Sequence, residues 1–170
     1  QDVFTNSAEF GVINQRDFFD HDVANVDNIQ GYYIVRPNDY VYNPRISTTA
    51  PVGPINRNKL GCCGVMSPLY YVFRVEKQSD GILHFLDYYF KSNMWHDFMF
   101  KNGNSGARSD RFSISDSTFS LMPILYPQKE EEQLNIGQVF INMEKLMRTE
   151  SIKLSKFRSM KQSLLQKMFV

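Results

Sequence analysis

The chain has 170 residues, 42% of them hydrophobic, with fourteen Phe and nine Tyr, which is enough for one globular core plus an extra element. Its formal net charge is only +1, and it divides into −2 over residues 1–128 and +3 over residues 129–170, so any anion binding by the first part must rest on local patches. No run approaches the roughly 18 uncharged apolar residues of a membrane span, and no signal peptide opens the chain.

The opening Gln1-Asp2-Val3 reads as the interior of a longer chain, with upstream residues lost by truncation or processing. Residues 1 to about 83 hold short β-like runs: Tyr32-Tyr33-Ile34-Val35, Tyr40-Val41-Tyr42, Val65-Met66 and Tyr70 to Val75. Turn residues separate them at Asn38-Asp39, Asn43-Pro44, Pro51 to Pro54 and Asn56 to Gly61, which predicts irregular strands joined by long loops. Pro44 cannot donate a ladder hydrogen bond, so the strand at Tyr40 ends there and Arg45 falls on a loop. Cys62 and Cys63 are adjacent and build no disulfide framework, which favours a cytoplasmic setting. Residues 84–100 read as one helix. A flexible loop follows at Asn102 to Gly106, then two strand candidates, Arg111 to Ser115 and Phe119 to Leu125.

The last segment carries the strongest pattern. After Pro127 come Glu130, Glu131 and Glu132, suited to the positive end of a helix dipole, and then about forty residues without Pro. Ile136, Met143, Glu150, Phe157 and Leu164 recur at heptad spacing. So do Phe140, Met147, Leu154, Lys161 and Met168, and Val139, Leu146 and Met160 widen the stripe. Such a helix is roughly 60 Å long, too long for the first 127 residues to cover. Leaving about a dozen apolar side chains in water would forfeit on the order of 20 kcal/mol. The stripe therefore predicts a helical partner, a second copy or another subunit. Glu150 and Lys161 interrupt the seam, and such breaks set register or oligomer state. From Lys145 onward there are seven cations and one acid, Glu150. This basic arm suits a phosphate-rich partner, or equally the solvated face of a coiled coil.

Catalytic signatures are scarce. His21, His84 and His96 do not fall at metal-ligand spacing, there is no HExxH or pair of CxxC motifs, and no phosphate-binding GxxxxGK[ST] loop or GxSxG elbow occurs. Asn43-Pro44-Arg45-Ile46 only partly matches the Asn-Pro-Pro-aromatic motif of amino-methyltransferases and reads as a turn. What stands out instead is loops rich in Asn, Gln, Arg and Lys. Arg pairs bidentately with guanine and Asn or Gln with adenine, while Lys and Arg contact phosphate. The same residues are also ordinary loop formers.

Taken in order, several motifs resemble a known family. Asn6 to Gly11, Tyr42 to Ser47, Ala50 to Ile55, Gly64 to Tyr70 and Gly106-Ala107-Arg108 look like a target recognition domain of the DNA-specificity subunit of type I restriction–modification systems. Pro127 to Gln133 with Ile136-Gly137, and Lys161 to Phe169, look like the start and end of that family's conserved helix. The resemblance covers nearly the whole chain. It implies a non-catalytic subunit that reads a split DNA sequence through two recognition domains spaced by two antiparallel helices. Those helices dock methyltransferase subunits that use S-adenosylmethionine, and a separate ATP- and magnesium-dependent subunit translocates and cuts DNA. This chain has one such domain and one helix and lacks the elements that usually open such a domain, so it resembles half a subunit or a fragment of one.

The expected fold is therefore α+β: a mostly β recognition domain over 1–127 with a short helix, then a long helix over 128–170 that pairs as an antiparallel coiled coil. The expected base contacts are Arg16, Arg45, Arg57, Asn58, Arg108 and Arg111, with Asn14, Gln15, Asn56 and Asn104 secondary, and Lys59 and Lys101 on phosphate. Arg108 has a structural alternative, anchoring its loop to Asp110 or Asp116. Ile136, Phe140, Met143, Met147, Leu154, Phe157 and Leu164 should line the helix pair, with a second copy as the expected partner and another subunit as the alternative. No cofactor is expected in this chain. The competing reading is a protein-interaction scaffold whose aromatic surface binds other subunits. A stand-alone methyltransferase or nuclease is a weaker one, against which no binding of S-adenosylmethionine is expected.

Overall fold

The computed structural model describes residues 2–18, 31–105 and 110–169. It is an α+β chain built from small antiparallel sheets and a long C-terminal helix. The first hairpin pairs β1 (Phe4–Ser7) with β2 (Gly11–Asn14), followed by a single turn, α1 (Gln15–Phe18). Next come β3 (Tyr33–Val35), β4 (Tyr40–Tyr42), β5 (Ile55–Arg57), β6 (Gly64–Met66) and β7 (Tyr71–Phe73). β3 pairs with β6, and β4 lies between β5 and β7. Then follow α2 (Asp80–Tyr89), α3 (His96–Asn102), the hairpin β8 (Asn104–Ser105) and β9 (Phe112–Ser113), α4 (Asp116–Phe119) and α5 (Glu130–Met168).

β4 organises the interior. All three of its residues are buried, and they alternate between two cores. Tyr40 and Tyr42 face a large core with Ile55, Leu83, Leu86, Phe90, Trp95, Met99, Phe112 and Phe119, while Val41 faces a smaller one with Phe4, Val12, Val35 and Met66. A two-residue period with both faces covered makes the uniformly apolar Tyr-Val-Tyr run what a central strand needs. The large core is aromatic throughout, with Tyr42 stacked on Phe119 at 4.8 Å and Phe90 packed edge-on to Phe73 and Trp95. Burial pushes the Tyr40 and Tyr42 hydroxyls far above their ordinary pKa, and each donates to a buried carbonyl, of Leu83 and Val52 respectively.

The expected helix over residues 84–100 is two helices. α2 begins earlier, at Asp80, because the Ser79 hydroxyl caps it by accepting from the Ile82 N–H. It ends at Tyr89, where the Ser92 hydroxyl donates to the Tyr89 carbonyl and the Trp95 indole donates to Phe90 O. The expected strand at Phe119 to Leu125 is likewise corrected. Ser115 caps a helical turn by accepting from Thr118 N–H, and residues beyond it run as an irregular strap in which Pro123 has no donor for a ladder. The strand expected at Arg111 to Ser115 shortens to Phe112–Ser113.

α5 is 39 residues long and has two unlike halves. Its first four turns dock on α2, the two helices running in the same direction. Glu130 and Gln133 abut Gly81, Gly137 abuts His84, and Phe140 stacks on Tyr88 at 4.9 Å. A Cβ on Gly137 would lie 2.6 Å from the His84 Cβ, so the missing side chain is what lets the helices approach. Glu144 closes the contact by accepting from Lys91 Nζ at 2.7 Å and from the Tyr88 hydroxyl at 2.9 Å. That holds the Glu144 carboxyl below its usual range, chiefly through Lys91, while burial and Glu144 together push Tyr88 up to about 12. The start of α5 is tied down by Gln133, which is buried and donates to the Pro127 carbonyl. From residue 145 to 169 every side chain is exposed. At about 1.5 Å per residue this half extends roughly 36 Å beyond the domain.

Candidate nucleic-acid interface

The turn after β4 positions the candidate site. The Asn43 side chain donates to Asn6 O and accepts from the Arg45 N–H, fixing the turn at Pro44. The chain beneath it is pinned by Gly53, whose φ of +86° suits glycine and where a Cβ would fall 2.1 Å from the Asn43 carbonyl oxygen. Phe112 N–H then donates to Pro44 O and Ile46 N–H to Asp110 O, at 2.8 and 3.0 Å. These two bonds flank an antiparallel bridge between Arg45 and Arg111. In such a flanked pair the two residues themselves exchange no hydrogen bond, and their Cα atoms approach to about 4.5 Å with side chains on one face. Both arginines are exposed, and among the described residues neither has a carboxylate partner. Two arginine side chains thus leave adjacent backbone positions on one exposed face, a like-charged cross-strand pair that is unfavourable unless something negative covers it.

β9 extends this patch. Phe112 points into the core at 4% exposure, so its neighbours Arg111 and Ser113 point outward by strand alternation. Asn104 is the register partner of Ser113 and is exposed, and Lys101 lies exposed in the last turn of α3, just before β8. Arg45, Arg111, Ser113 and Asn104 therefore come from three strand segments onto one connected edge, with Lys101 exposed three residues before Asn104. Ser113 was not among the sequence-derived candidates; its signal was the alternation with Phe112. Arg108 lies outside the described residues.

The other predicted contacts have different roles. Arg57 is a scaffold residue. Its guanidinium grips the Asp87 carboxylate with two bonds of 2.9 and 2.6 Å and donates a third to Asn38, and both charged side chains are nearly buried. Burial works against its charge, but Asp87 more than compensates and raises its pKa. Lys59 reaches the same carboxylate at 2.7 Å. Asn58, 1% exposed, donates to the carbonyls of Arg36 and Cys62 and accepts from Leu60 N–H, so no base edge can reach it. Asn56 donates to Asn6 Oδ1 and Ser7 O, joining β5 to the first hairpin. Asn14 accepts from the Arg16 N–H at the start of α1. Gln15 donates its backbone N–H to Val3 O, and its buried Oε1 has no partner among the described residues.

A cleft of about 300 Å³ beside these residues is lined by Glu9, Arg57, Lys59, Asp87 and Lys91. Its cations are matched by Asp87 and, for Lys91, by Glu144, so it offers little to an anion. Among the described residues no group of three His, Cys, Asp or Glu side chains could hold a metal ion, and no helix is long and apolar enough to cross a membrane. The seam residues are placed on α5 as the spacing predicts. Phe140, Met143, Met147, Leu154, Phe157 and Leu164 are each 43–70% exposed, Phe140 also touches Tyr88, and Ile136 is half-buried.

No protein family model matches this chain, and no curated protein or solved structure matches it.

Proposed function

We propose that this chain is a non-catalytic, sequence-specific reader of double-stranded DNA, acting as half of a specificity subunit of the type I restriction–modification kind. The observation that carries the reading is the uncompensated Arg45–Arg111 pair. A domain that neutralises Arg57 and Arg74 with well-placed carboxylates leaves these two arginines adjacent, exposed and held by backbone bonds. Paired arginines on a ribbon edge match the bidentate O6/N7 edge of guanine or two neighbouring phosphates. Asn104 adds an adenine-reading amide, and Lys101 a phosphate contact.

The second half of the reading is self-pairing through α5. Residues 130–144 carry four carboxylates and no cation, whereas 145–168 carry seven cations and Glu150. An antiparallel pair of copies sets each basic half against an acidic half; a parallel pair would set basic on basic. Antiparallel pairing places two recognition domains at opposite ends of a helical spacer, which suits a symmetric split site. Methyltransferase subunits using S-adenosylmethionine would dock on that spacer and recruit an ATP- and magnesium-dependent restriction subunit, in the cytoplasm. This chain would itself hold no cofactor.

A protein-interaction scaffold is the alternative, favoured by the exposed Leu121, Leu125 and free half of α5. Salt separates the two. DNA binding through several phosphates loses affinity with a slope of about −0.9 per phosphate in log salt, and an apolar protein interface responds little. A titration of duplex DNA at rising salt, with Arg45→Ala alongside, tests the proposal: the variant should lose cognate affinity far more than affinity for random duplex. Equal loss on both makes Arg45 a phosphate contact, and no binding at low salt removes the DNA reading.

A further inference from the structure

The base of α5 carries a largely apolar cleft of about 700 Å³ that none of the described residues fills. Its walls are Phe73 and Val75 from the exit of β7, Ile82 and Leu86 from α2, and Ile124 and Tyr126 from the strap before α5. Glu130 and Gln133 of α5 itself stand at its edge. At the far end of the same helix is an apolar tip with no cover: Leu164, Leu165, Met168 and Phe169 are 56%, 48%, 73% and 82% exposed. Phe169 has left the helix, with φ −122° and ψ 24°, so its ring is not bound to the helical stripe.

We infer that the C-terminal tip of one copy, led by Met168 and Phe169, seats in the apolar cleft at the base of α5 in a second copy. The inference rests on the antiparallel pairing proposed above. A straight 39-residue helix holds its own tip roughly 60 Å from its own base, so the tip cannot reach the cleft of its own copy. Full antiparallel overlap about the helix midpoint brings residue 168 of one copy level with residue 130 of the other, beside that cleft. Charge agrees with the match. Lys161 and Lys167 flank the tip, and Glu76 and Glu130 line the cleft together with the cations Arg74 and Lys77; Arg74 is already paired with Asp39, and Glu131 and Glu132 follow Glu130 in sequence, so the α5 side of the rim is acidic. The arrangement would fix the register of the spacer. The breaks at Glu150 and Lys161 already restrict the register of the heptad stripe, and a tip that fits only one cleft would fix with them the distance between the two recognition domains.

The test is photo-crosslinking on the full chain with p-benzoylphenylalanine in place of Phe169. Natural-abundance and 15N-labelled copies are mixed, and sedimentation is run on the same sample. The expected result is a dimer with mixed-isotope crosslinks from position 169 to residues 73–82 and 124–130. A dimer whose crosslinks fall only along the middle of α5, or within one copy, overturns this inference and leaves the pairing standing. A monomer overturns both. As a second readout, Phe169→Asp should weaken dimerisation about tenfold or more, as loss of a buried aromatic anchor does, and unchanged dimerisation would overturn the seating. Phe169 is exposed and outside the helix in the single copy, so this variant leaves the fold intact.

Discussion

The two halves of α5 have similar apolar spacing and opposite fates. Residues 130–144 find α2, a partner supplied by the same chain, and there the fit is close enough that Gly137 must lack a side chain. Residues 145–168 find nothing, and their Met, Leu and Phe side chains stay in solvent. The docked half therefore belongs to the stability of the domain, and the free half is the part we propose for association. An amphipathic helix contributes to folding only where its stripe is met. A second contrast runs in parallel through the arginines. Arg57 and Arg74 are held by Asp87 and Asp39, while Arg45 and Arg111 face water beside each other.

The largest effect should come from the buried ion pair. Arg57→Ala leaves Asp87, among the described residues, with Lys59 and Tyr40 and should cost about 3 kcal/mol of unfolding free energy, read by urea denaturation. A loss of DNA affinity in Arg57→Ala without loss of stability would return Arg57 to the interface. Next, Gly137→Leu forces α5 off His84 and should cost about 1–3 kcal/mol, with the transition of the whole domain shifting. The matching change in the free half, Leu154→Glu with Phe157→Glu, should leave the domain's unfolding midpoint nearly unchanged at low concentration and abolish dimerisation by light scattering. If it unfolds the domain, the division between the halves is wrong.

Smaller effects sharpen the arginine contrast. Arg45→Ala or Arg111→Ala should reduce discrimination between cognate and altered sites by about 1–3 kcal/mol in competition binding. The same variants should leave stability unchanged or raise it by a few tenths of a kcal/mol, because a like-charged cross-strand pair is relieved. The smallest effect is that of pH on the docked half. Glu144 is depressed in the folded state, chiefly by Lys91, so its contribution is present above the ordinary carboxylate range and is lost as pH falls through its lowered value. The pair is half exposed, so the change should be slight. Hydrogen exchange should show α5 loosening from α2 in acid, and Lys91→Ala should remove that pH dependence.

Much of this was legible in the sequence, and for physical reasons. β4 was readable because Tyr-Val-Tyr is followed by Asn43-Pro44, and α5 because three glutamates open a run of heptad-spaced apolar residues that reaches Met168. β5 was hidden: Ile55-Asn56-Arg57 carries two polar residues, and only Asn6 and Asp87, distant in sequence, explain why they sit in a strand. Phe119 to Leu125 alternates like a strand, yet a local Ser115 cap makes its start a helical turn. Arg45 and Arg57 could not be told apart beforehand. Both lie beside polar turn residues, and what separates them is whether a carboxylate from α2 arrives in space.

The central claim is that this domain reads DNA. The most direct test is selection of bound duplexes from a randomised pool by the full chain, with Arg45→Ala carried in parallel. The account predicts enrichment of a split site whose two halves mirror each other, with fixed spacing, and loss of preference at particular base pairs in the variant. Recovery of an unenriched pool, or no recovery of DNA at low salt, would contradict it.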